Sequence, residues 1–269
     1  TFVIDSVDAG AIIGRASSFQ GIENLVGGTA ADVFRFQNTG ALTSGSINGG
    51  TGVAIDVIEG DVDANRFLIS GMDSGLYFAD AAALTASASF TDIESLDGRS
   101  GNDVFEFGIS GFLTDELDGG AGSDELIGSN NGDLFDDTAR NAGNLYDVVT
   151  GPAGRRTGTG LGAAVAGFVN VENLTGGAGV DSFIVRTLVT IDGNLNGAGG
   201  DDSFVLETNS TVGGDLAGGA GNNTLELNPG AQVLGNVSDV TVNINVDGTP
   251  AADVFVVRLN GGVLEVLKN

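Results

Sequence analysis

The chain has 269 residues, with 36 Asp and Glu against 10 Lys and Arg, a formal charge of -26, 46 glycines and neither Cys nor His. This excludes disulfides, thiolate nucleophiles, zinc-thiolate sites and imidazole bases or ligands. The basic footprint that nucleic acid requires is also missing, and divalent cations are the partners so acidic a surface favours. Hydrophobic residues make up 41% and charged residues 17%, enough apolar material for a core, and no apolar run approaches the roughly 18 residues of a membrane span.

The N-terminal TFVIDSVDAGAIIG reads as strands with turns, and the lack of an initiating Met suggests a processed product or an excised piece. Three segments then align without gaps, Phe19 to Phe34, Phe90 to Phe105 and Phe168 to Phe183, sharing F-x-x-[IV]-E-[NS]-L-x-G-x-x-[AG]-x-D-x-F. After each copy an apolar-Gly element recurs, at Ile47, Leu117 and Leu195. Residues 69–89 and 128–166 break the pattern and read as longer coils or protruding loops, the second holding Pro152 and the pair Arg155-Arg156. Toward the C-terminus a shorter period is explicit: Leu174, Leu195, Leu216 and Val237 stand 21 residues apart. Nine residues after most of these positions comes another large apolar residue, as at Phe34, Phe105, Leu126, Phe183, Phe204 and Leu225.

A repeat of about 20 residues marks a solenoid in which each unit buries its apolar face against its neighbours. Segments such as DSFIVRT, DSFVLET and NTLELN are short, alternate in character and are bounded by Gly, Asn and Asp, as strands are. No helical period is long enough for crossover helices. The expected fold is all-β, a parallel β-helix of about 21–22 residues per coil, two strands to the period, in one domain over residues 1–269. Phe183, Phe204 and Leu225 should form one interior ladder, and Leu174, Leu195, Leu216 and Val237 another. Glycine serves the corners, where a Cβ is costly.

GGAGSDELI at Gly119 to Ile127 matches the nonapeptide G-G-x-G-x-D-x-U-x in full, as does GGAGVDSFI at Gly176 to Ile184; GSNNGDLFD at Gly128 to Asp136 keeps the first Gly, Asp133 and Phe135. This resembles the repeats-in-toxin (RTX) calcium-binding family, which implies Ca²⁺ as the cofactor. It makes Asp124, Asp133 and Asp181 candidate ligands in turns shaped by Gly120 and Gly122. The departures are a coil longer than the family's tandem nonapeptides give, Ala30 and Ala251 at a glycine position, and Asn223 in place of Asp. A 21-residue register would also stack Asp103 on Asp124, and Asp181 near Asp201 or Asp202, bringing like charges within one rung. A cation would screen them, and so would salt; alternatively Gly and Asp serve only as turn formers.

Phrases such as IENLVGG, VENLTGG and SINGGTG also resemble those of large repetitive bacterial surface and secreted proteins. That resemblance implies a non-catalytic structural or adhesive segment of a longer exported protein, extracellular or at the cell surface. Its partners would be copies of itself end to end, or cell-surface and matrix glycans. The alternative is an RTX-like module whose folding depends on Ca²⁺; a carbohydrate-active β-helix enzyme is a remote third. Catalysis is not expected: the arginines are scattered, and Glu23, Glu94 and Glu172 recur once per repeat, which suits a structural role better than an active site.

Overall fold

The computed structural model describes all residues except 16, 39, 109, 129–132, 137–145, 151–166, 245–254, 261–262 and 269. Every regular element among the described residues is a β-strand, and most strand pairs are parallel. The chain divides into two compact units, Thr1–Leu126 with Gly158–Val171, and Ile127–Thr157 with Glu172–Asn269.

In the second unit the 21-residue period becomes a register. Leu174 pairs with Leu195, Leu195 with Leu216 and Leu216 with Val237. Phe135 pairs with Phe183, Phe183 with Phe204 and Phe204 with Leu225; the next step, Leu225 to Val242, shortens. A third column joins Ile191, Val212 and Val233 through the two-residue strands Thr190–Ile191, Thr211–Val212 and Gln232–Val233. The expectation of two strands per period is therefore corrected to three in this unit. Strands this short escape a search for alternating runs, although Ile191, Val212 and Val233 keep the spacing of 21.

Alternation fixes which side chains are inside. In Ser203–Leu206, Phe204 and Leu206 are fully buried while Ser203 and Val205 turn to the other face. Parallel pairing in register lays like residues on one another, so the rings of Phe183 and Phe204 stack with centroids 4.7 Å apart and planes 9° from parallel, the offset or stacked arrangement aromatic pairs favour.

The first unit uses the same rule with uneven steps. One parallel column runs Phe2, Phe34, Ile58, Leu96, Leu117, Phe168. Another joins Leu25, Ile47 and Phe90, and Phe67 pairs with Phe105, their rings 5.0 Å apart and nearly parallel. Residues 69–89 carry an antiparallel element that the sequence pattern does not mark. They supply Ser74–Phe78, which lies antiparallel between Arg66–Gly71 and Ala88–Thr91. This meander is held by Tyr77, fully buried and stacked on Phe36 at 4.1 Å. The N-terminal strands Phe2–Ser6, Ala9–Ile12 and Ser17–Gln20 form a second antiparallel meander. From 128–166, Asp133–Asp136 pairs antiparallel with Tyr146–Thr150; Pro152, Arg155 and Arg156 lie outside the described residues.

Deleting one buried rung should cost far more than deleting its neighbour on the same strand. Phe204→Ala is expected to lower unfolding stability by about 3–5 kcal/mol, and Val205→Ala by no more than about 1 kcal/mol. Urea unfolding midpoints check this; equal losses would contradict the inward assignment.

Candidate functional site

Four of the aspartates that the nonapeptide pattern and the 21-residue register single out do not face solvent. Asp103 and Asp124 are 0% exposed, Asp181 and Asp202 1%. Each belongs to a column of side chains whose Oδ1 accepts the backbone N–H of the equivalent residue one repeat earlier. In the first unit the Asn65 N–H donates to Asp103 at 2.6 Å and the Asp103 N–H to Asp124 at 2.7 Å. In the second, the Asp181 N–H donates to Asp202 at 2.9 Å and the Asp202 N–H to Asn223 at 2.8 Å. A third instance links the Asp32 N–H to Asp56 at 2.7 Å. The stacking of Asp103 on Asp124 follows the expected register, and of the two residues offered for Asp181 it is Asp202 that stacks. Asp133 lies in the strand Asp133–Asp136, opposite Thr150; its side chain is outside the described residues.

The turn glycines make this column possible. A Cβ built on Gly197 would lie 2.3 Å from Asp202 Oδ2 and 2.5 Å from the Gly218 carbonyl oxygen; on Gly98 it would lie 2.4 Å from Asp103 Oδ2, and on Gly176 2.2 Å from Asp181 Oδ2. The spacing G-x-x-x-x-[DN] thus records a carboxyl or amide folded back over the glycine five residues ahead. Gly120 and Gly122 answer a different demand, close approach of backbones: their Cβ atoms would fall 2.3 Å from the Arg99 carbonyl oxygen and 1.5 Å from that of Gly101.

Two turn conformations set how each carboxyl is satisfied. In one, Gly177 N–H donates to Asp181 Oδ2 at 2.9 Å, as Gly28 N–H does to Asp32 Oδ2. In the other, the corresponding residue is left-handed, Arg99 at φ 70° and Ala198 at φ 65°. Its N–H then turns to the side chain two residues before it, Asp97 or Asn196. Asp103 Oδ2 and Asp202 Oδ2 are left buried with no hydrogen-bond partner. Burial pushes Asp103 up to about 7 and Asp202 up to about 6, with nearby carboxylates adding to the shift and the single amide bond opposing it.

Other polar residues repeat the theme. An exposed row runs Asn173, Asn194, Asp215, Asn236, each side chain accepting the next residue's backbone N–H. Glu94, from the recurrent E-[NS]-L motif, accepts the Asp56 N–H at 2.8 Å. Arg35 pairs with Glu59, and Arg186 with Glu207 at 2.6 Å, each across one repeat. Asp56, Asp61, Asn65 and Asp73, buried as well, carry no nonapeptide signature. Asn65 could have been found only through its place five residues after Gly60, and Asp56 only through its place before the apolar pair Val57-Ile58.

No group of three or more acidic residues positioned to hold a metal ion is present among the described residues. No helix there is long and apolar enough to cross a membrane. Comparison with protein-family models gives no match, and comparison with curated proteins gives none either.

Two glycines of one turn give a matched test. Gly197→Ala should cost about 1–3 kcal/mol, because the methyl group meets a carboxyl oxygen and a carbonyl. Gly199→Ala should change stability by less than about 0.5 kcal/mol, since its Cβ meets nothing nearer than 3.9 Å and its partner one repeat on is already Ala220. Thermal unfolding of both variants would show equal losses if the carboxyl did not fold over Gly197.

Proposed function

We propose that the chain is a parallel β-solenoid with a repeat of 21–22 residues, serving as a non-catalytic structural or adhesive segment of an exported bacterial surface, matrix or filament protein. The observation that carries this reading is the recurrence of one contact, a side-chain oxygen on the backbone N–H of the neighbouring repeat, in buried and exposed columns alike. Residues that could have served chemistry are used once per repeat to hold repeats together. A scaffold needs that in every repeat; a catalytic centre does not.

The outward faces suit an extended contact surface. Ser182, Ser203, Thr224 and Thr241 form one row in parallel register, at the spacing of about 4.8 Å between strands. Regular rows of hydroxyls and amides can meet cell-surface or matrix glycans. Ser17–Gln20 and Asn24–Gly28 lie at the ends of their sheets, and an edge strand offers unpaired backbone groups to another copy end to end.

The competing reading, an RTX-like module that requires Ca²⁺ to fold, is the other outcome of the same experiment. Circular dichroism and size-exclusion elution of the purified chain, in excess EDTA and in millimolar Ca²⁺, should give the same β-rich spectrum in both. Elution should be as large or filamentous species regardless of calcium. Asp124→Ala should lower the melting temperature equally in chelator and in calcium, because it removes the acceptor of the Asp103 N–H. An expanded chain that compacts only with calcium, or a loss on Asp124→Ala seen only in calcium, would assign the turns to metal binding instead.

A further inference from the structure

The buried column contains its own internal comparison, because Asn and Asp occupy equivalent places in it. Asn223 ends the column of the second unit. Its Oδ1 accepts the Asp202 N–H at 2.8 Å, and its Nδ2 donates to the Asp239 carbonyl at 3.1 Å and the Gly219 carbonyl at 3.2 Å. Asp202 stands 21 residues earlier. Its Oδ1 makes the same bond, to the Asp181 N–H, and its Oδ2 takes the place of the amide nitrogen. The carbonyl it faces is also the equivalent one: Asp239 follows Gly218 by 21 residues, as Gly218 follows Gly197. A Cβ on Gly218 would touch Asn223 Nδ2 at 2.7 Å and the Asp239 oxygen at 2.1 Å, and a Cβ on Gly197 would touch Asp202 Oδ2 at 2.3 Å and the Gly218 oxygen at 2.5 Å. Around Gly98 the pair is Asp103 Oδ2 at 2.4 Å and the Gly119 oxygen at 2.7 Å. In the first unit Asn65 likewise uses its Nδ2 as a donor, to Asp61 Oδ1 at 2.9 Å and the Ala79 carbonyl at 3.3 Å.

At Gly197 and at Gly98 a buried Oδ2 without a partner and a carbonyl oxygen, both of which can only accept, thus crowd the same glycine, where the neighbouring asparagine places a donor. We propose that Asp103 and Asp202 are proton-binding sites, each carried as a neutral carboxylic acid whose Oδ2 hydroxyl donates to the carbonyl of Gly119 or Gly218. The step is a simple protonation, with the proton taken from solvent, and Asp103 and Asp202 become isosteres of Asn223. The titratable groups around them are carboxylates, Asp124, Asp61 and Asp97 near Asp103 and Asp181 and Asp201 near Asp202, together with the buried phenol of Tyr77 beside Asp103, and none of them supplies a positive charge. Asp181 is the contrast within the same column, because Gly177 N–H already donates to its Oδ2.

The pH dependence follows in sign. A carboxyl whose proton is held more tightly in the folded chain than in the unfolded one stabilises the fold fully below the unfolded value of about 4. That stability is lost as pH rises toward the folded values of about 6 for Asp202 and about 7 for Asp103, and no more is lost above them. Asn at either position carries its donor at every pH.

Asp202→Asn and Asp103→Asn therefore test the assignment, with the exposed Asp63→Asn as the control for removing one negative charge. Urea unfolding of the full chain in EDTA, from pH 4 to pH 8, should show both buried variants gaining on the wild type as pH rises. At pH 8 the gain in the folded-to-unfolded ratio should be about tenfold or more relative to the control, one pKa unit being a factor of ten. The infrared carbonyl band of a protonated carboxylic acid, present in the wild type at pH 5, should weaken in each buried variant and persist in the control. Buried variants that are less stable than the wild type throughout, or that gain equally at all pH values, would overturn the proposal. So would calcium at pH 8 stabilising the wild type and neither Asn variant, because the charge would then be neutralised by metal.

Discussion

The constraint on which the rest of the structure depends is parallel stacking in register at the spacing of one strand. It places each residue over its counterpart a repeat away, so every choice made in one repeat is imposed on the next. In the interior this is favourable, because Phe183 meets Phe204 and Leu195 meets Leu216. At the turns it is demanding. Backbone amides there fall outside the strand ladders, and a buried N–H without a partner costs about as much as a lost hydrogen bond. The Asp and Asn columns answer that demand, each residue capping the amide of its counterpart, and the glycine five residues ahead makes room for the side chain that does so.

The same constraint accounts for how a chain of formal charge -26 can bury carboxylates. Each buried Asp is placed to accept from a backbone amide, and at Asp181 the turn amide of Gly177 donates to the Oδ2 that Asp103 and Asp202 leave without a partner. Cations are spent elsewhere. Arg35, Arg66, Arg99 and Arg186 meet glutamates on the half-exposed faces, where an ion pair contributes modestly, about 0–1 kcal/mol. Arg66 also lies over the Phe78 ring at 4.0 Å, joining the antiparallel meander to the column of Phe67 and Phe105.

Much of this was legible in the sequence because stacked residues recur at fixed intervals. The Leu174 and Phe183 columns could be read from spacing alone, as could the stacking of Asp103 on Asp124. The third column is harder to read, because Ile191, Val212 and Val233 sit in two-residue strands with no alternation to mark them. The antiparallel course of Ser74–Phe78 had no signal either, since a strand reads the same whichever way its neighbour runs. Nor does sequence show which way an aspartate points, since the same G-G-x-G-x-D turn can present its carboxyl outward to a cation or fold it inward onto amides. One clue lay in Asn223 and Asn65. An asparagine taking an aspartate's place keeps the amide acceptor that the column requires but brings no charge for a metal.

Native-state hydrogen exchange, resolved by residue in the presence of chelator, is the most direct test of the side-chain ladder. The Asp103, Asp181 and Asp202 amides lie outside the regular strands and donate to side-chain oxygens. If those columns hold the repeats in register, the three amides exchange as slowly as the strand amide of Phe204, through the same unfolding event. Exchange at the rate of an open turn, with Phe204 still protected, would contradict the account.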